Sequence, residues 1–359
     1  MRVLQIIDSL HPGGAERMAI LYANALSSKI ERSYLCCTRE EGILKSSLNK
    51  DVDYLHLRKN FTFDIRAILQ LRDFIKSENI DIVHAHSSSY FIVCIMKLSG
   101  IKTKLIWHDH YGNSEFLKER NPFLVRFLSY YFDGVISVND KLKNWAKKKL
   151  FCGNIIQINN FCSSINNLGG ATIKLKGDPD TTKFICVANI RPQKDHLTLI
   201  KAFEMMANNK NVSLHLIGED PVTNYSKSVL NYIDQSPIKK SIYYYGIQTN
   251  ITEFLKQGDI AVLSSVSEGL PVALLEYGIA GLPVISSDVG QCKKVIGDYG
   301  LVVRSDSIKK LSKALSYYYN NEIKRSADAK KFNNRVLNLY SEGVVIKKVT
   351  DFYNNILSN

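Results

Sequence analysis

The sequence contains no apolar stretch long enough to span a membrane or to form the core of a secretory signal. The apolar run at residues 3–7 ends at Asp8, and the run at residues 91–96 is interrupted by Lys97. A spanning helix needs roughly 18 successive apolar residues, and the apolar core of a signal peptide is also longer than the first run. We therefore expect a cytoplasmic protein.

Paired cysteines are missing as well. The chain has seven cysteines, an odd number, and none of them forms a Cys-x-x-Cys motif. The adjacent Cys36 and Cys37 are poorly suited to bridge each other, because disulfide geometry is restrictive. Reduced thiols in a cytosolic protein are the expected state.

Low-complexity tracts and repeats of 20–50 residues are also absent, so the chain is expected to be globular throughout. Its 359 residues exceed what one hydrophobic core usually holds and suit two. The net charge of +13 indicates an anionic partner: nucleic acid, an anionic membrane surface or a phosphate-bearing substrate. Charge alone does not choose among these three.

Strand and helix patterns alternate along the first half of the sequence. Strands are predicted at residues 2–8, 32–38, 53–57, 82–86, 104–108 and 134–138. Helices are predicted at about residues 15–26 and at 65–78, 90–99 and 122–132. This alternation indicates a mostly parallel sheet with crossover helices.

The same alternation resumes after a cluster of Asn, Ser and Gly at residues 159–170, which we interpret as a linker. Later strands are predicted at residues 184–188, 212–217, 242–245, 260–263 and 283–286, with helices at 196–208 and about 271–280. We predict an α/β protein of two doubly wound, Rossmann-like domains, 1–165 and 175–342, facing a central cleft. A C-terminal helix at 343–359 is expected to join the first domain.

Ligands of such sheets bind beyond the carboxyl ends of the strands, and the most informative loop of this kind lies at residues 264–276. It reads as a strand end, a Ser/Gly loop and a helix with Pro271 near its first turn. Backbone N–H groups at the start of that helix, with its positive dipole end, suit phosphate oxygens. The donor-binding residues predicted in this loop are Glu268, Gly269, Leu270, Pro271, Val272 and Glu276.

The loop resembles a known family. Glu268 and Glu276, set in S-E-G-L-P-x-x-x-L-E, resemble the E-x7-E signature of retaining glycosyltransferases of family 4. The resemblance implies the GT-B fold, with Glu268 contacting the donor sugar and Glu276 the nucleotide ribose. A pair of glutamates at this spacing also fits a solvated helix face.

Two further loops are similar to the family in the expected order. Gly13 and Gly14 resemble its Gly-rich loop, where glycine permits a positive φ and close backbone approach, although a Gly pair also fits an ordinary turn. Residues 189–195, N-I-R-P-Q-K-D, resemble its R-L-x-P-x-K loop. Lys194 is thereby implied to neutralise the donor diphosphate, unless it is a solvated loop lysine. Asn189 occupies the family's arginine position, and Arg191 is the nearest replacement.

Histidine pairs close two successive strands, His84 with His86 and His108 with His110. Residues i and i+2 of a strand point to the same side. Since no acidic or cysteine set with metal-like spacing accompanies them, we predict no metal site. The resemblance implies that His108 is catalytic and leaves His86, Asp109 and His110 as acceptor or active-site candidates. Hydrogen-bonded histidines at strand ends are the alternative.

Basic and aromatic residues are interleaved at 116–132 and 141–151. Such stretches suit an anionic membrane surface, which would make the protein peripheral at the inner face of the plasma membrane. Core packing is the alternative, because helical spacing also relates Phe123, Leu124, Phe127, Leu128 and Tyr131.

The predicted function is metal-independent, retaining transfer of a sugar from a nucleotide-sugar, with UDP favoured, to a glycan or lipid-linked acceptor in cell-surface polysaccharide synthesis. His108, Glu268 and Lys194 are the predicted catalytic residues, and no cofactor is expected. Lys194, Arg191 and the helix N-terminus would stabilise the leaving diphosphate. The alternatives are an epimerase or a glycogen-synthase-like enzyme on the same fold, and a basic nucleic-acid-binding protein. The sequence has no nucleic-acid-binding motif, so no such partner is expected.

Overall fold

The computed structural model describes residues 1–114, 116–162, 174–208, 210–248 and 250–358. The chain divides into two compact units. One consists of Met1–Phe161 with Glu342–Asn359, and the other of Cys162–Ser341. The linker predicted at residues 159–170 lies for the most part outside the described residues.

The first unit is a doubly wound parallel α/β unit. Its strands are β1 Arg2–Ser9, β2 Arg32–Glu40, β3 Asp53–His56, β4 Ile82–His86, β5 Lys104–Asp109, β6 Gly134–Ser137 and β7 Ile155–Gln157. Its first helices are α1 Gly14–Ser27, α2 Ile65–Ser77, α3 Tyr90–Lys97, α4 Phe123–Leu128 and α5 Asp140–Lys149. All paired strands are parallel, in the order β3-β2-β1-β4-β5-β6-β7.

Polar side chains at the edges of this unit set where its helices begin. The Asp64 carboxylate accepts a hydrogen bond from the Ala67 amide at 3.1 Å at the start of α2. The Asn139 side chain accepts from the Leu142 amide at 2.8 Å at the start of α5. Such caps satisfy amides that have no partner within the helix. These helices start at the carboxyl edge of the sheet, where the histidine-bearing strands β4 and β5 also end.

The second unit repeats the architecture. Its strands are β8 Thr182–Val187, β9 Val212–Ile217, β10 Ile242–Tyr244, β11 Ile260–Leu263, β12 Val284–Ser287 and β13 Leu301–Val303. Its helices are α6 His196–Ala207, α7 Asn224–Gln235, α8 Ile251–Leu255, α9 Val272–Ile279, α10 Cys292–Ile296, α11 Ile308–Asn320 and α12 Glu322–Tyr340. The described strands are parallel in the order β10-β9-β8-β11-β12-β13. This is the Rossmann order, and the prediction of two Rossmann-like parallel-sheet domains is confirmed.

The last helix, α13 Glu342–Ser358, belongs to the first unit. Phe352 lies against Gly134, where an added Cβ would come within 2.8 Å of the phenylalanine ring. The ring of Tyr353 is fully buried. The C-terminal segment therefore supplies part of the interior of a unit built mainly from the N-terminal half of the chain.

The predicted limit of the first domain and the predicted end of one of its helices differ from the structure. Cys162 belongs to the second unit, not the first as the predicted limit at residue 165 required, because it pairs with Ser341 and packs in the second unit's core. The helix predicted at residues 122–132 ends at Leu128 and is followed by a single 3₁₀ turn, Ser129–Tyr131.

Candidate functional site

A largely buried ion pair lies in the loops that follow β8 and β11, two neighbouring strands of the second unit. Lys194 Nζ contacts Glu268 Oε1 at 2.5 Å, and Ser265 Oγ donates a hydrogen bond to the same oxygen at 2.6 Å. The Glu268 side chain is 7% exposed and that of Lys194 is 21% exposed. Two of the residues predicted from the sequence, Lys194 and Glu268, are thus brought together, whereas Ser265 was not predicted.

Contacts between the two loops fix this arrangement. Ser264 Oγ donates to the Lys194 carbonyl at 2.9 Å, and the Val266 amide donates to the Gln193 carbonyl at 2.9 Å. Gly290 has a φ of +54°, and a Cβ there would lie 2.2 Å from the Glu268 carbonyl oxygen. Only glycine fits both this left-handed conformation and this close approach. The loop carrying Glu268 is therefore held rigidly from two sides.

Helix α9 begins at Val272, one residue later than predicted, with Pro271 as its N-cap residue. The Pro271 side chain makes no capping hydrogen bond, and the Pro271 carbonyl accepts from the Leu274 amide at 3.2 Å. The two amides before it, of Val272 and Ala273, have no acceptor within the helix. Leu270 and Val272 are 3% and 6% exposed. Their side chains are therefore buried in the interior of the second unit.

Glu276 lies in the second turn of α9 and is partly buried. Burial raises the pKa of the nearby Cys162 thiol, and the charge of Glu276 raises it further. Glu268 precedes the helix, while Glu276 is carried by it. The two carboxylates of the predicted motif therefore stand at different heights along the helix axis.

Asn189 and Arg191 share one acidic partner, Glu219, which lies two residues after β9. The Asn189 side chain donates to Glu219 Oε2 at 3.3 Å and accepts from the Glu219 amide at 3.0 Å. Arg191 Nη2 lies 3.8 Å from the same carboxylate oxygen, with its side chain 49% exposed. Arg191 therefore points toward a carboxylate rather than toward the Lys194–Glu268 pair. Glu219 was missed by sequence reasoning because no motif marks it.

In the first unit, the predicted histidines form a stack of four rings. His84 Nε2 lies 3.1 Å from His108 Nδ1, and His86 Nδ1 lies 2.9 Å from His110 Nε2. The ring planes of His84 and His108 are 10° apart, and the ring centroids of His108 and His110 are 3.9 Å apart. The stack arises because His86 and His108 stand side by side on the paired strands β4 and β5.

Two buried residues that the sequence did not single out complete this cluster. The Tyr353 hydroxyl lies 2.6 Å from His84 Nδ1, and Gln5 Oε1 lies 2.8 Å from His86 Nε2. Burial lowers the pKa of His84 and of His110 to about 3. Burial lowers the pKa of His86 and of His108 well below the usual range. The four rings are therefore neutral at physiological pH.

His84, His86 and His108 are the one group with metal-like spacing among the described residues, with one nitrogen from each lying within 4.8 Å of the others. The nitrogens of His84 and His86 are engaged in hydrogen bonds to His108, His110, Tyr353 and Gln5. The arrangement is that of a hydrogen-bonded histidine cluster.

Asp109 has a positioning role within the first unit. Arg120 grips its carboxylate through two hydrogen bonds of 2.7 and 3.0 Å, and the Tyr111 amide donates to it at 3.1 Å. Arg120 also lies over the Trp145 ring, 4.0 Å from its centroid. The carboxylate, which was predicted as an acceptor-site candidate, thus anchors the loop that follows β5.

Gly13 and Gly14 lie at the start of α1, but they do not adopt the positive φ that the sequence analysis gave as the reason for glycine in this loop. Gly13 is the N-cap residue in extended conformation, and neither glycine has a positive φ. A Cβ on Gly13 would meet the Glu16 carboxylate at 2.1 Å, whereas one on Gly14 would have no atom within 4 Å. The bare backbone at Gly14 leaves room for a ligand atom at the helix N-terminus.

A cluster of exposed aromatic and basic side chains lies on α4 and at the end of α5. Phe123, Phe127 and Tyr130 are 79%, 70% and 80% exposed. Arg126 lies over the ring of Phe151, which is itself 60% exposed. The aromatic–basic face, as we name this surface, comprises Phe123, Leu124, Arg126, Phe127, Tyr130, Lys147, Lys148, Lys149 and Phe151. Core packing, the alternative left open for this stretch, holds for Leu128 and in part for Tyr131. It does not hold for Phe123, Leu124 or Phe127, which are exposed.

The carboxylate–lysine pair beside a helix N-terminus, on a pair of Rossmann-like units, is the arrangement expected of a nucleotide-sugar enzyme. Two family models match the chain: "Glycosyltransferase Family 4" over residues 12–161 and "Glycosyl transferases group 1" over residues 173–335. The chain belongs to glycosyltransferase family 4 and is a glycosyltransferase. The predicted family and transferase function are confirmed.

Several characterised glycosyltransferases are similar over most of their length. The UDP-Gal:alpha-D-GlcNAc-diphosphoundecaprenol alpha-1,3-galactosyltransferase of Escherichia coli is 25% identical, covering 82% of this chain and 81% of its own. A Campylobacter jejuni alpha-1,4-N-acetyl-D-galactosaminyltransferase, whose named acceptor is a diNAcBac-PP-undecaprenol glycan, is 25% identical over 90% of both chains. A capsular polysaccharide biosynthesis glycosyltransferase of Staphylococcus aureus is 23% identical, covering 82% and 83%.

Solved structures confirm the GT-B fold. Anabaena HepE in complex with UDP and glucose matches with a TM-score of 0.82 at 13% identity, covering 99% of this chain and all of its own. Sucrose-phosphate synthase from Thermosynechococcus elongatus matches with a TM-score of 0.82 at 13% identity over 99% of both chains.

Within the described ranges, no helix combines the length and apolar character needed to cross a bilayer.

Proposed function

We propose that this glycosyltransferase uses a UDP-sugar and transfers the sugar with retention of its anomeric configuration, without a metal ion. Its acceptor is a lipid-linked glycan of cell-surface polysaccharide synthesis. The observation that carries the proposal is the Lys194–Glu268 ion pair beside the N-terminus of α9. A cation and a helix N-terminus at one loop suit the diphosphate of a nucleotide-sugar.

The donor site follows from these groups. Lys194 neutralises the diphosphate, and the first-turn amides of α9 donate to its oxygens. Glu268, held by Ser265 at 2.6 Å, accepts hydrogen bonds from hydroxyls of the donor sugar. Glu276, one turn into the helix, accepts from the ribose. UDP is favoured because the Escherichia coli relative is named for UDP-Gal, and HepE is described with UDP bound.

Transfer then depends on stabilising the leaving group. The bond between the anomeric carbon and the diphosphate oxygen breaks, and the acceptor oxygen bonds to that carbon from the same face. The acceptor's proton passes to the leaving diphosphate. Charge develops on the diphosphate in the transition state, where fixed electrostatic partners contribute most to catalysis. Lys194 and the α9 amides are those partners, and His108 is proposed to hydrogen-bond the reacting sugar.

Protein groups neutralise the charge of the diphosphate, which is the usual task of a divalent ion. Glu268 is already paired with Lys194 rather than offered as a free metal ligand. In the histidine cluster, ring nitrogens of His84 and His86 are used in hydrogen bonds. These engaged groups support the proposal of metal-independent transfer, which predicts full activity in the presence of a chelator.

The aromatic–basic face supports a peripheral position at an anionic membrane. Exposed phenylalanines enter the headgroup region while neighbouring lysines meet lipid phosphates. The Escherichia coli and Campylobacter jejuni relatives are both named for acceptors linked to undecaprenol through a diphosphate. An enzyme that acts on such an acceptor benefits from resting on the bilayer that holds it.

The donor site is tested by thermal shift with UDP, GDP, ADP and CMP on the wild type and on Glu276→Ala. UDP at about 100 times its dissociation constant should add about 2.7 kcal/mol of stability, which raises Tm by a few degrees. Glu276→Ala should lose most of that shift, because the ribose loses its carboxylate partner.

The matched control is Glu322→Ala, which removes a carboxylate that is 78% exposed on α12 of the same unit. It should keep the full UDP shift. A wild-type protein that is folded but not shifted by any of the four nucleotides would contradict the donor site. An unchanged shift in Glu276→Ala would contradict the role of that residue.

A further inference from the structure

The histidine cluster contains two hydrogen-bonded arms that meet at a single buried side chain, Gln5. One arm runs from the Gln5 side-chain nitrogen to the Tyr353 hydroxyl at 3.5 Å, then to His84 Nδ1 at 2.6 Å and on to His108 at 3.1 Å. The other runs from Gln5 Oε1 to His86 Nε2 at 2.8 Å and then to His110 at 2.9 Å. Both arms lie within the first unit.

The direction of each hydrogen bond follows from what Gln5 can donate and accept. A neutral imidazole carries one N–H donor and one acceptor nitrogen, and burial keeps all four rings neutral. Gln5 Oε1 only accepts, so His86 donates through Nε2 and must accept through Nδ1 from His110. The Gln5 amide nitrogen only donates, so it cannot take the Tyr353 hydroxyl hydrogen. Among the described residues, His84 Nδ1 is the other partner of that hydroxyl, so the hydroxyl hydrogen is donated to His84 Nδ1.

The same reasoning fixes the proton on His108. Because His84 accepts at Nδ1, its proton is on Nε2 and is donated to His108 Nδ1. His108 therefore accepts at Nδ1 and carries its own proton on Nε2. That Nε2 atom is buried and has no hydrogen-bond partner among the residues that the structure describes. A buried donor without a partner is costly, which indicates that a ligand atom satisfies it.

We infer that Gln5 and Tyr353 are positioning residues that hold His108 as a hydrogen-bond donor, with its Nε2–H directed to an oxygen of the bound sugar. The inference rests on the proposed function in one respect, namely that His108 contacts the substrate. Tyr353 comes from α13 and Gln5 from β1, 348 residues apart in the chain. The C-terminal helix thereby sets the protonation of a strand-end histidine in the opposite half of the sequence.

Reversing the direction of the hydrogen bonds in the arm from Gln5 through Tyr353 and His84 should move the proton of His108 from Nε2 to Nδ1. In Gln5→Glu the ionised side chain only accepts hydrogen bonds, so the Tyr353 hydroxyl turns its hydrogen toward Glu and accepts from His84 Nδ1. His84 then accepts from His108 Nδ1, and His108 Nε2 becomes an acceptor. The His86 arm is unaffected, because Gln5 Oε1 and a carboxylate oxygen both accept from His86.

The test is a two-bond ¹H–¹⁵N correlation spectrum of protein labelled with ¹⁵N-histidine, with signals assigned by single His→Gln variants. In the wild type, all four histidines should carry the proton on Nε2. In Gln5→Glu, at a pH where the carboxylate is ionised, His84 and His108 should move to the Nδ1–H form while His86 and His110 stay unchanged. In Tyr353→Phe, His84 and His108 should become mixtures of the two forms.

Tyr34→Phe is the matched control, since it removes a buried tyrosine hydroxyl of the same unit that binds Glu78 at 3.0 Å and does not touch the histidines. Its spectrum should equal that of the wild type. A wild-type His108 protonated on Nδ1, or a Tyr353→Phe protein that melts cooperatively and keeps all four forms unchanged, would overturn the inference. The histidine spectra and the melting curve are both measured without an assay of catalysis.

Kinetics test the consequence for the reaction. Loss of one preorganised donor typically lowers kcat by about 100-fold or more, so Gln5→Glu should lose about that much with the donor KM little changed. Unchanged kcat in a protein whose His108 has switched form would overturn the positioning role. Failure of the proposed function itself has a different signature, namely a wild type that shows the expected spectra but neither binds nor turns over any nucleotide-sugar.

Discussion

At the scale of single residues, the four histidines of the cluster differ from free imidazole most clearly in their lowered pKa. Three of the four rings, those of His84, His86 and His108, are fully buried in the first unit, and His110 is partly buried. Burial holds the pKa of each of the four low, at about 3 for His84 and His110. The unfolded chain has ordinary histidines, which take up protons near pH 6.5. Unfolding in acid is therefore coupled to proton uptake.

The free energy of unfolding should fall as the pH drops below about 6.5. Because the folded pKa lies below the unfolded one, the unfolded state binds more protons in this window, and stability rises with pH. Each such histidine contributes about 1.4 kcal/mol per pH unit. His110→Asn should thus reduce the slope of stability against pH by about that amount between about pH 4 and 5.5. Urea unfolding at several pH values measures the slope.

Leu98, which is 66% exposed on the same unit, supplies the comparison. Leu98→Asn removes no titratable group and should leave the slope close to that of the wild type. If His110→Asn and wild type have the same slope, then His110 is protonated in the folded protein and the neutral histidine cluster is wrong.

The sequence analysis identified the site residues that lie within recognisable loop motifs. Lys194 and Glu268 were predicted from separate loops, and the structure joins them in one ion pair. Gln5 and Tyr353 were not predicted, because a glutamine in a strand and a tyrosine in a C-terminal helix carry no local signal. Their contact with the histidines exists only through the tertiary fold, across 348 residues of sequence for Gln5 and Tyr353.

At the scale of elements, the apolar residues of α4 form one buried set and one exposed set. Val125 and Leu128 are buried in the first unit's core, while Phe123 and Phe127 on the other side are 79% and 70% exposed. The apolar spacing alone does not tell which side is covered. The structure gives the helix an apolar inner face and an aromatic outer face, with the lysines at the end of α5 nearby.

Removal of the outer phenylalanines should release the protein from anionic membranes. Phe123→Ser with Phe127→Ser should weaken binding to phosphatidylglycerol vesicles by about tenfold or more, since burying one phenylalanine contributes about 1.5–3 kcal/mol. Co-sedimentation measures the change. Ile323→Ser with Leu339→Ser, two exposed apolar positions of the second unit, is the matched control and should bind like the wild type.

Equal binding of wild type and the Phe123/Phe127 variant would contradict the membrane role of this face. So would equal binding of the wild type to anionic and to neutral vesicles. Either result would leave the donor site untouched, because no residue of the aromatic–basic face belongs to it.

Element boundaries were predictable where polar or glycine residues flank a strand closely. The bounds of β4, β9 and β11 agree with the prediction to the residue, because Asp, Asn, Ser or Gly stands directly before and after each of them. The three-residue strands β7 and β13 were missed, since so short a segment has no measurable periodicity. Helix α4 stopped earlier than predicted because the chain tightens into a 3₁₀ turn after Leu128, which apolar spacing does not reveal.

At the scale of the whole molecule, charge and chain organisation agree with the proposed substrates. The net charge of +13 favours anionic partners, and a nucleotide diphosphate, a diphosphate-linked acceptor and an anionic bilayer are all of this kind. The chain ends by returning to its first unit through α13. Both ends of the sequence therefore contribute to the unit that carries the histidine cluster and the aromatic–basic face.

The most direct test of the account is the stereochemistry of transfer. Wild-type protein is incubated with UDP-sugars, a chelator and an undecaprenyl-diphosphate-linked sugar acceptor, and the anomeric configuration of the product is determined by NMR. The account predicts a disaccharide-lipid whose new linkage keeps the α configuration of the donor. A β-linked product, or an isomerised UDP-sugar formed without acceptor, would contradict it.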